Sequence, residues 1–309
     1  MPDFNLSRRD FLGASVAAGT LWAAGCAGVG IAAGAAQGED AAAPTLKPLF
    51  FPVALSAGDG RHAMAKAAGF DCMVTSVDDC LCPNKSDAEF AKRLAQLRAL
   101  PLPIRAANVF IPASLRITGP ETHHEAILAR AKIVFARAKQ AGIGRIVFGS
   151  GRARQLPEGF PVKEATAQFT ALLRQMGPLA QAQGVLVVPE TLNRGECNFI
   201  STLPELTAIV AEVNHPAVRV NADLYHLRRE KEDPRVLEAA IPWLALVEIA
   251  EVEKRTIPGV AGDDFRPFFR VLLKHRWSGM LNAECRQPTP EQTKNMFTTL
   301  SRQIRESAA

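Results

Sequence analysis

The stretch VLVVPETLNRGECNF, Val185 to Phe199, starts as a run of apolar, mostly β-branched residues and then becomes polar within a few positions. Glu190 stands where the apolar run ends, and Asn193 and Glu196 follow it closely. A short continuous apolar run of this kind is typical of a strand that is buried on both faces of a parallel sheet. The stretch therefore predicts a buried strand that ends in a carboxylate.

Short apolar runs of the same kind recur along the chain and alternate with amphipathic segments. Eight strand–helix units with near-continuous apolar strands predict a parallel sheet covered by helices, and eight is the number that closes a (β/α)8 TIM barrel. A doubly wound sheet is the alternative, but no G-x-G-x-x-G pattern follows the first strand. The predicted strands are Leu49–Ser56, Asp71–Ser76, Ile104–Ile111, Arg145–Gly149, Val185–Pro189, Val218–Ala222, Leu244–Ala250 and Gly279–Ala283.

Three Ser/Thr-x-x-Glu patterns predict where helices begin between these strands. In such capping boxes the two side chains accept hydrogen bonds from the free N–H groups of the first helical turn. The patterns are Ser86–Glu89, Thr118–Glu121 and Thr202–Glu205.

The first residues resemble an export signal rather than part of the fold. Ser7-Arg8-Arg9-Asp10-Phe11-Leu12 precedes a stretch rich in Ala and Gly, as in twin-arginine signal peptides. We assign residues 1–36 to the signal, 37–48 to a linker and 49–309 to a single barrel domain. Cleavage near Ala33-Gly34-Ala35 would give a periplasmic protein, whereas lipidation of Cys26 would anchor a lipoprotein to the membrane; both remain open.

The composition argues against several classes of partner. The formal charge is +5, basic and acidic residues are interspersed, and one Tyr with three Trp offers few stacking platforms for bases. We therefore expect no nucleic acid partner. We also expect no transmembrane helix in the mature chain, and homo-oligomer formation stays open.

Four consecutive predicted strands end in an acid, and all four ends point to the same rim of the barrel. The catalytic groups of such barrels lie at this carboxyl-terminal rim. Each acid alone could cap a helix or pair with an Arg, but four close carboxylates repel one another unless a cation neutralises them. A hard divalent ion such as Mn²⁺ or Mg²⁺ suits oxygen ligands. The predicted ligands are Glu190, Asp223, Glu248 and Glu284.

Other polar residues lie near the same strand ends and are candidates for substrate contact. A histidine three residues after a strand-end acid could also be a purely structural residue, but its place at a strand terminus favours contact with substrate. The candidates are Asn108, Asn193, Glu196, His226, Lys254 and Arg255.

At these positions the chain resembles the sugar phosphate isomerase/epimerase family, the xylose isomerase-like TIM barrels that include ketose 3-epimerases. The similarity rests on PETLNRGECNFISTLPE, VNADLYHLRREKEDP, VEIAEVEKRTIPG and LNAEC, which occur in the family's order. It extends from about residue 49 to about residue 300. It is specific for the family and says little about the substrate.

The resemblance implies roles for the strand-end residues. A divalent metal would be held by residues from the last four strands. Glu190 and Glu284 would be the acid/base pair that moves a proton next to a ketose carbonyl. Glu196, His226 and the Arg after the seventh strand would hold the sugar oxygens, and either Lys254 or Arg255 could take the last of these places.

The chain departs from the family at one predicted ligand. The family's H-I-A-E reads Glu248-Ile249-Ala250-Glu251 here, so a carboxylate replaces the usual imidazole. The change makes the ligand set harder and more negative and should disfavour softer metals. A loss of metal binding or of epimerase activity is the alternative interpretation of this change.

These observations lead to one leading function and two alternatives. We expect a metal-dependent isomerase or epimerase that acts on a non-phosphorylated ketose or keto-sugar, because phosphorylated sugars are scarce outside the cytoplasm. A 3-keto-glycoside lyase would use the same proton abstraction but eliminate the aglycone. A non-catalytic exported carbohydrate-binding protein would bind sugar without exchanging its hydrogens.

Overall fold

The computed structural model describes residues 50–308 of the chain. The proposed export signal at residues 1–36, its cleavage sites, Cys26 and the linker at residues 37–48 lie outside the described residues.

The eight predicted strands are confirmed, and they form one parallel sheet in the order β5-β4-β3-β2-β1-β8-β7-β6. The two ends of this order meet through the isolated bridges Val187–Val218 and Glu190–Asn221, which close the sheet into a barrel. Each strand is one to four residues shorter than predicted, because ladder pairing stops where the backbone turns into the loops. The strands are β1 Val53–Ser56, β2 Cys72–Ser76, β3 Ile104–Asn108, β4 Arg145–Phe148, β5 Leu186–Pro189, β6 Val220–Asp223, β7 Leu244–Ile249 and β8 Met280–Ala283.

Helices follow the strands and cover the outside of the barrel. Three short 3₁₀ turns, Asp59–Arg61, Ile241–Trp243 and Glu253–Arg255, complete the described elements. Within residues 50–308 no helix is both long and apolar enough to cross a lipid bilayer. The helices are α1 His62–Ala68, α2 Val77–Leu81, α3 Asp87–Arg98, α4 His124–Ala141, α5 Gly151–Arg154, α6 Val162–Gln181, α7 Leu203–Val213, α8 Leu224–Arg229, α9 Val236–Ala240, α10 Arg266–Lys274 and α11 Pro290–Glu306.

Two of the three predicted capping boxes are confirmed. Ser86 and Thr202 each accept the N–H three residues on, and the glutamates at these N3 positions bond back to the cap. The box predicted at Thr118 is wrong. Thr118 is buried and its hydroxyl donates to the carbonyl of Arg154 at 2.9 Å, whereas the next helix begins only at His124. The Thr118 hydroxyl therefore makes a tertiary hydrogen bond and does not cap a helix.

The alternation of side chains along each strand separates two packed regions. In β7, Val247 and Ile249 face the helices and Leu246 faces the barrel interior, which places Glu248 inside as well. The lower interior is filled by small and medium apolar side chains from seven strands, and the polar residues that succeed them lie at the carboxyl-terminal mouth. The interior cluster is Ala54, Cys72, Val74, Ala106, Val147, Val188, Ala245, Leu246 and Met280.

Candidate active site

The four predicted ligand acids come together at the mouth of the barrel. Glu190, Asp223 and Glu248 are buried, and Glu284 is partly exposed. One carboxylate oxygen of each lies within 4.8 Å of an oxygen of every other. The strand period of two explains the convergence, because each acid occupies an inward-facing position at the carboxyl end of its strand, above the apolar interior cluster.

Glu248 is held by two amides from the neighbouring strands. Asn221 on β6 donates its side-chain N–H to Oε2 at 2.5 Å, and Asn282 on β8 donates to Oε1 at 2.6 Å. The Asn282 amide also lies 2.9 Å from the hydroxyl of Ser56 on β1. These two amide donors favour the ionised carboxylate and so oppose the rise in the pKa of Glu248 that burial causes. Hydrogen bonds from the two neighbouring strands therefore hold the carboxylate of Glu248 in place.

Arg255 connects two other acids of the cluster. Its Nη2 donates to Oδ2 of Asp223 at 3.0 Å and also to Oε2 of Glu284. Its guanidinium carbon lies 4.7 Å from the centre of the Tyr225 ring, a cation–π contact. Oε1 of Glu284 accepts a hydrogen bond from the amide of Asn108 at 2.7 Å. One guanidinium thus balances part of the charge of four carboxyl groups.

His226 has a tautomer that its neighbours determine. Its Nδ1 accepts the backbone N–H of Asn193 at 3.1 Å, and the side-chain amide of Asn193 lies 2.8 Å away. The proton of the neutral ring is therefore on Nε2, which lies 3.4 Å from Oδ2 of Asp223 and 3.7 Å from Oε1 of Glu190. A protonated Nε2 is a hydrogen-bond donor and not a metal ligand, so the four-carboxylate set is the better cation site.

Burial controls the ionisation of the cluster. It raises the pKa of Glu190 and of Glu248 well above the usual range, and the nearby carboxylates raise both further. Burial also raises the pKa of Asp223 and of Glu284, although the charge of Arg255 opposes it. Burial, followed by the charge of Arg255, lowers the pKa of His226 to about 4. These shifts favour the neutral form of the His226 ring and the protonated form of the acids.

Five of the six predicted substrate residues reach this mouth, and one does not. Glu196 is 43% exposed at the rim, where its Oε1 accepts the Asn193 amide at 3.0 Å and lies 4.0 Å from Nη1 of Arg255. Lys254 is 70% exposed and its Nζ lies 3.3 Å from Glu253, outside the cluster. Of the two candidates Lys254 and Arg255, it is therefore Arg255 that lies in the mouth of the barrel.

Some residues of the site were not foreseen from the sequence. Asn221 and Asn282 each precede a strand-end acid by two residues, in the repeated patterns N-A-D and N-A-E, so strand alternation places them on the same inward face. Gly149 follows β4, where a Cβ would lie 2.5 Å from Oε2 of Glu190. Strand alternation could have predicted both asparagines from the sequence. The requirement for glycine at position 149 could not be predicted, because it depends on a contact with the neighbouring strand.

The donor set of the site suits a hard divalent cation. The four converging ligand groups are carboxylates and none is a sulfur atom, which fits Mn²⁺ or Mg²⁺ better than a softer ion. Within the described chain a smaller alternative set, Glu190, Asp223 and His226, also converges. The tautomer of His226 disfavours that second set.

Comparisons with known proteins agree with this architecture. The model of the family described as "Xylose isomerase-like TIM barrel" matches residues 63–304. An L-ribulose 3-epimerase of Methylomonas sp. (strain DH-1) is 28% identical over 240 residues, which are 74% of this chain and 79% of that protein.

Solved structures show the same fold. The 3-keto-D-glucoside 4-epimerase of E. coli has a TM-score of 0.67 at 19% identity, over 82% of this chain and 99% of that one. The D-psicose 3-epimerase of Clostridium cellulolyticum H10, solved with D-tagatose, has a TM-score of 0.66 at 17% identity, over 83% and 96% of the two chains. At these identities the structural similarity concerns the fold alone.

Proposed function

Because the chain belongs to the xylose isomerase-like TIM barrel family, we propose that it is a metal-dependent sugar epimerase or isomerase. Its substrate would be a non-phosphorylated ketose or keto-sugar, and its cation Mn²⁺ or Mg²⁺. The similarity to an L-ribulose 3-epimerase supports the class of reaction.

The convergence of four carboxylates at the barrel mouth is the observation that carries the proposal. Residues Glu190, Asp223, Glu248 and Glu284 would hold the cation, and Arg255 alone balances only part of their charge. When bound, the cation would neutralise the acids and polarise the substrate's carbonyl oxygen. The chain's own residues would supply the proton transfers.

Glu190 and Glu284 are proposed as the acid/base pair. One carboxylate would take the proton from the carbon next to the carbonyl, and the electron pair of that C–H bond would move towards the carbonyl oxygen. The other carboxyl group, protonated at the start, would return a proton to the opposite face of the same carbon. Burial raises the pKa of both groups, which favours the protonated form that the returning partner needs.

The remaining polar residues of the mouth are proposed to hold the sugar. Nε2–H of His226 and the guanidinium of Arg255 are donors suited to hydroxyl or carbonyl oxygens. Asn108, Asn193 and the exposed carboxylate of Glu196 complete the polar rim. A twin-arginine signal would bring the protein to a compartment where unphosphorylated sugars are the available substrates.

Hydrogen exchange with solvent tests this function. The protein is purified without chelator, assayed for bound metal, and incubated in D₂O with Mn²⁺ and either free ketoses or a 3-keto-glycoside. An epimerase should give the C-epimer carrying one solvent deuterium at the inverted carbon, detected by mass spectrometry and NMR. Treatment with EDTA should abolish both signals, and Mn²⁺ should restore them.

Two other results would replace the proposal. Release of the aglycone from the 3-keto-glycoside, without formation of an epimer, would identify a lyase. Sugar binding without any incorporation of deuterium would identify a carbohydrate-binding protein that has lost the chemistry.

A further inference from the structure

Glu251 is a fully buried carboxylate just after β7 that accepts hydrogen bonds from a single loop. Its Oε1 accepts the backbone N–H groups of Gly259, Gly262 and Asp263 at 2.8, 3.1 and 3.2 Å. Its Oε2 accepts the N–H of Ala261 and lies 3.2 Å from the hydroxyl of Thr256, which lies 2.9 Å from the carbonyl of Glu253. The four backbone N–H groups make a cradle for an anion, of the kind that helix ends and turns provide.

Just before this loop the chain makes a turn that is unfavourable on its own. Lys254 and Arg255 are consecutive residues with φ of 53° and 54°, in the left-handed region. That conformation costs non-glycine residues roughly 1–2 kcal/mol each, so surrounding contacts must hold it. The backbone N–H of Glu251 donates to the carbonyl of Thr256 at 2.9 Å and closes the loop just after the turn.

Arg255 depends on this turn for its place in the site. Its carbonyl accepts the N–H of Arg286 at 3.0 Å, and its Nε donates to the carbonyl of Glu284 at 3.3 Å. Its Nη2 reaches Asp223 and Glu284 in the acid cluster. A shift of the turn would move the guanidinium away from both carboxylates.

We propose that Glu251 is a positioning residue: its buried carboxylate ties the loop at residues 256–263 and thereby holds the Arg255 guanidinium in the mouth of the barrel. Glu251 itself touches none of the four cluster acids through the hydrogen bonds described, and it acts through the backbone. The consequence for catalysis rests on the proposed epimerase function, whereas the consequence for the loop does not.

Glu251→Gln tests the positioning role directly. The amide replaces one acceptor oxygen with a donor, so one or more buried N–H groups of the loop lose their partner. By hydrogen exchange we expect protection of the amides of Gly259, Ala261 and Gly262 to fall at least about tenfold. The Nε–H signal of Arg255, observed by NMR, should shift and exchange faster, with both readouts independent of any sugar.

Catalysis provides the second readout. With the substrate that wild type converts, Glu251→Gln should lower kcat/KM about 10- to 100-fold, because a displaced guanidinium no longer orients the sugar. Arg255→Lys should have a similar effect, and the double variant should be little worse than Arg255→Lys alone. Additive losses would show that Glu251 acts by another route and would overturn the proposal.

Two further results separate the possibilities. An unchanged Arg255 Nε–H signal despite a loosened loop would also overturn the positioning role. If Glu251→Gln does not fold, Thr256→Val removes the hydroxyl that lies between the oxygens of Glu251 and Glu253, and it should produce a smaller change of the same kind in both signals. If wild type shows no sugar chemistry, the exchange and NMR readouts still decide the role of Glu251.

Discussion

At the scale of single residues, the four acids of the mouth differ in how their charge is balanced. Asp223 and Glu284 share the guanidinium of Arg255, and Glu248 receives two amides. Glu190 faces the protonated Nε2 of His226 at 3.7 Å. Glu284 also has a donor on each oxygen, from Asn108 and Arg255, so it differs from Glu248 in having a cationic partner.

Glu190→Gln and Glu284→Gln should each lower turnover about 10³-fold or more, because an amide cannot accept or return the substrate's proton. The fold should persist, since each change removes a negative charge from a crowded cluster. Turnover and circular-dichroism melting check both expectations, with Lys254→Gln as a control outside the cluster. Activity close to wild type in either cluster variant would remove that residue from the acid/base pair.

Glu248→His should destabilise the protein by about 1–3 kcal/mol, because a neutral imidazole offers one acceptor nitrogen to the amides of Asn221 and Asn282. At least one buried donor is then left without a partner. Urea unfolding measures the loss. The triple variant that also carries Asn221→Val and Asn282→Val removes the orphaned donors and should recover part of it.

The same variant tests whether Glu248 is a ligand. Replacing a carboxylate by an imidazole should shift the preference from Mn²⁺ towards Zn²⁺ in titration calorimetry. An unchanged preference would show that Glu248 does not contact the cation.

At the scale of elements, the start of α7 depends on a carboxylate from the loop after α8. Both oxygens of Glu232 lie 3.1 Å from the backbone N–H of Leu203, the first residue of α7. Burial raises the pKa of Glu232 to about 7 from its usual 4.5. The folded protein therefore holds a proton here that the unfolded chain has released between these two pH values.

The sign of the resulting pH dependence follows from proton linkage. Because the folded state binds more protons, Glu232 should make stability fall as pH rises from about 4.5 to about 7. Glu232→Gln keeps an acceptor oxygen but cannot ionise, so the variant should lose less stability across this window. Urea unfolding at pH 5 and pH 8 measures the difference between the two proteins. An identical change in both would contradict the assignment.

At the scale of the whole molecule, the barrel concentrates negative charge at one end. A cation that binds only the folded state stabilises it by mass action, about 2.7 kcal/mol at 100 times the dissociation constant. For a domain of this size we expect Mn²⁺ to raise Tm by roughly 5–10 °C relative to EDTA. Equal melting temperatures in Mn²⁺ and EDTA would argue against the cation site, and Glu284→Gln should show a smaller rise than wild type.

Local sequence patterns were enough to predict the barrel architecture and the positions of the four acids. A strand places every second residue on one face, so a carboxylate at the end of each of the last four strands had to lie on a common rim once the barrel was recognised. Asn221 and Asn282 obey the same period and were missed only because they stand one layer below the strand ends. The capping pattern at Thr118 failed because Arg154, far along the chain, supplied a better partner for its hydroxyl.

The sequence by itself determined the eight-stranded barrel, the rim on which the site lies and the four acids that meet there, because these depend on periodicities within a few residues. Tertiary structure decided which of Lys254 and Arg255 enters the mouth, which nitrogen of His226 carries the proton, and what holds Glu248. Each of these depends on contacts between loops or strands far apart in the chain, where small backbone rotations and distant donors set the outcome.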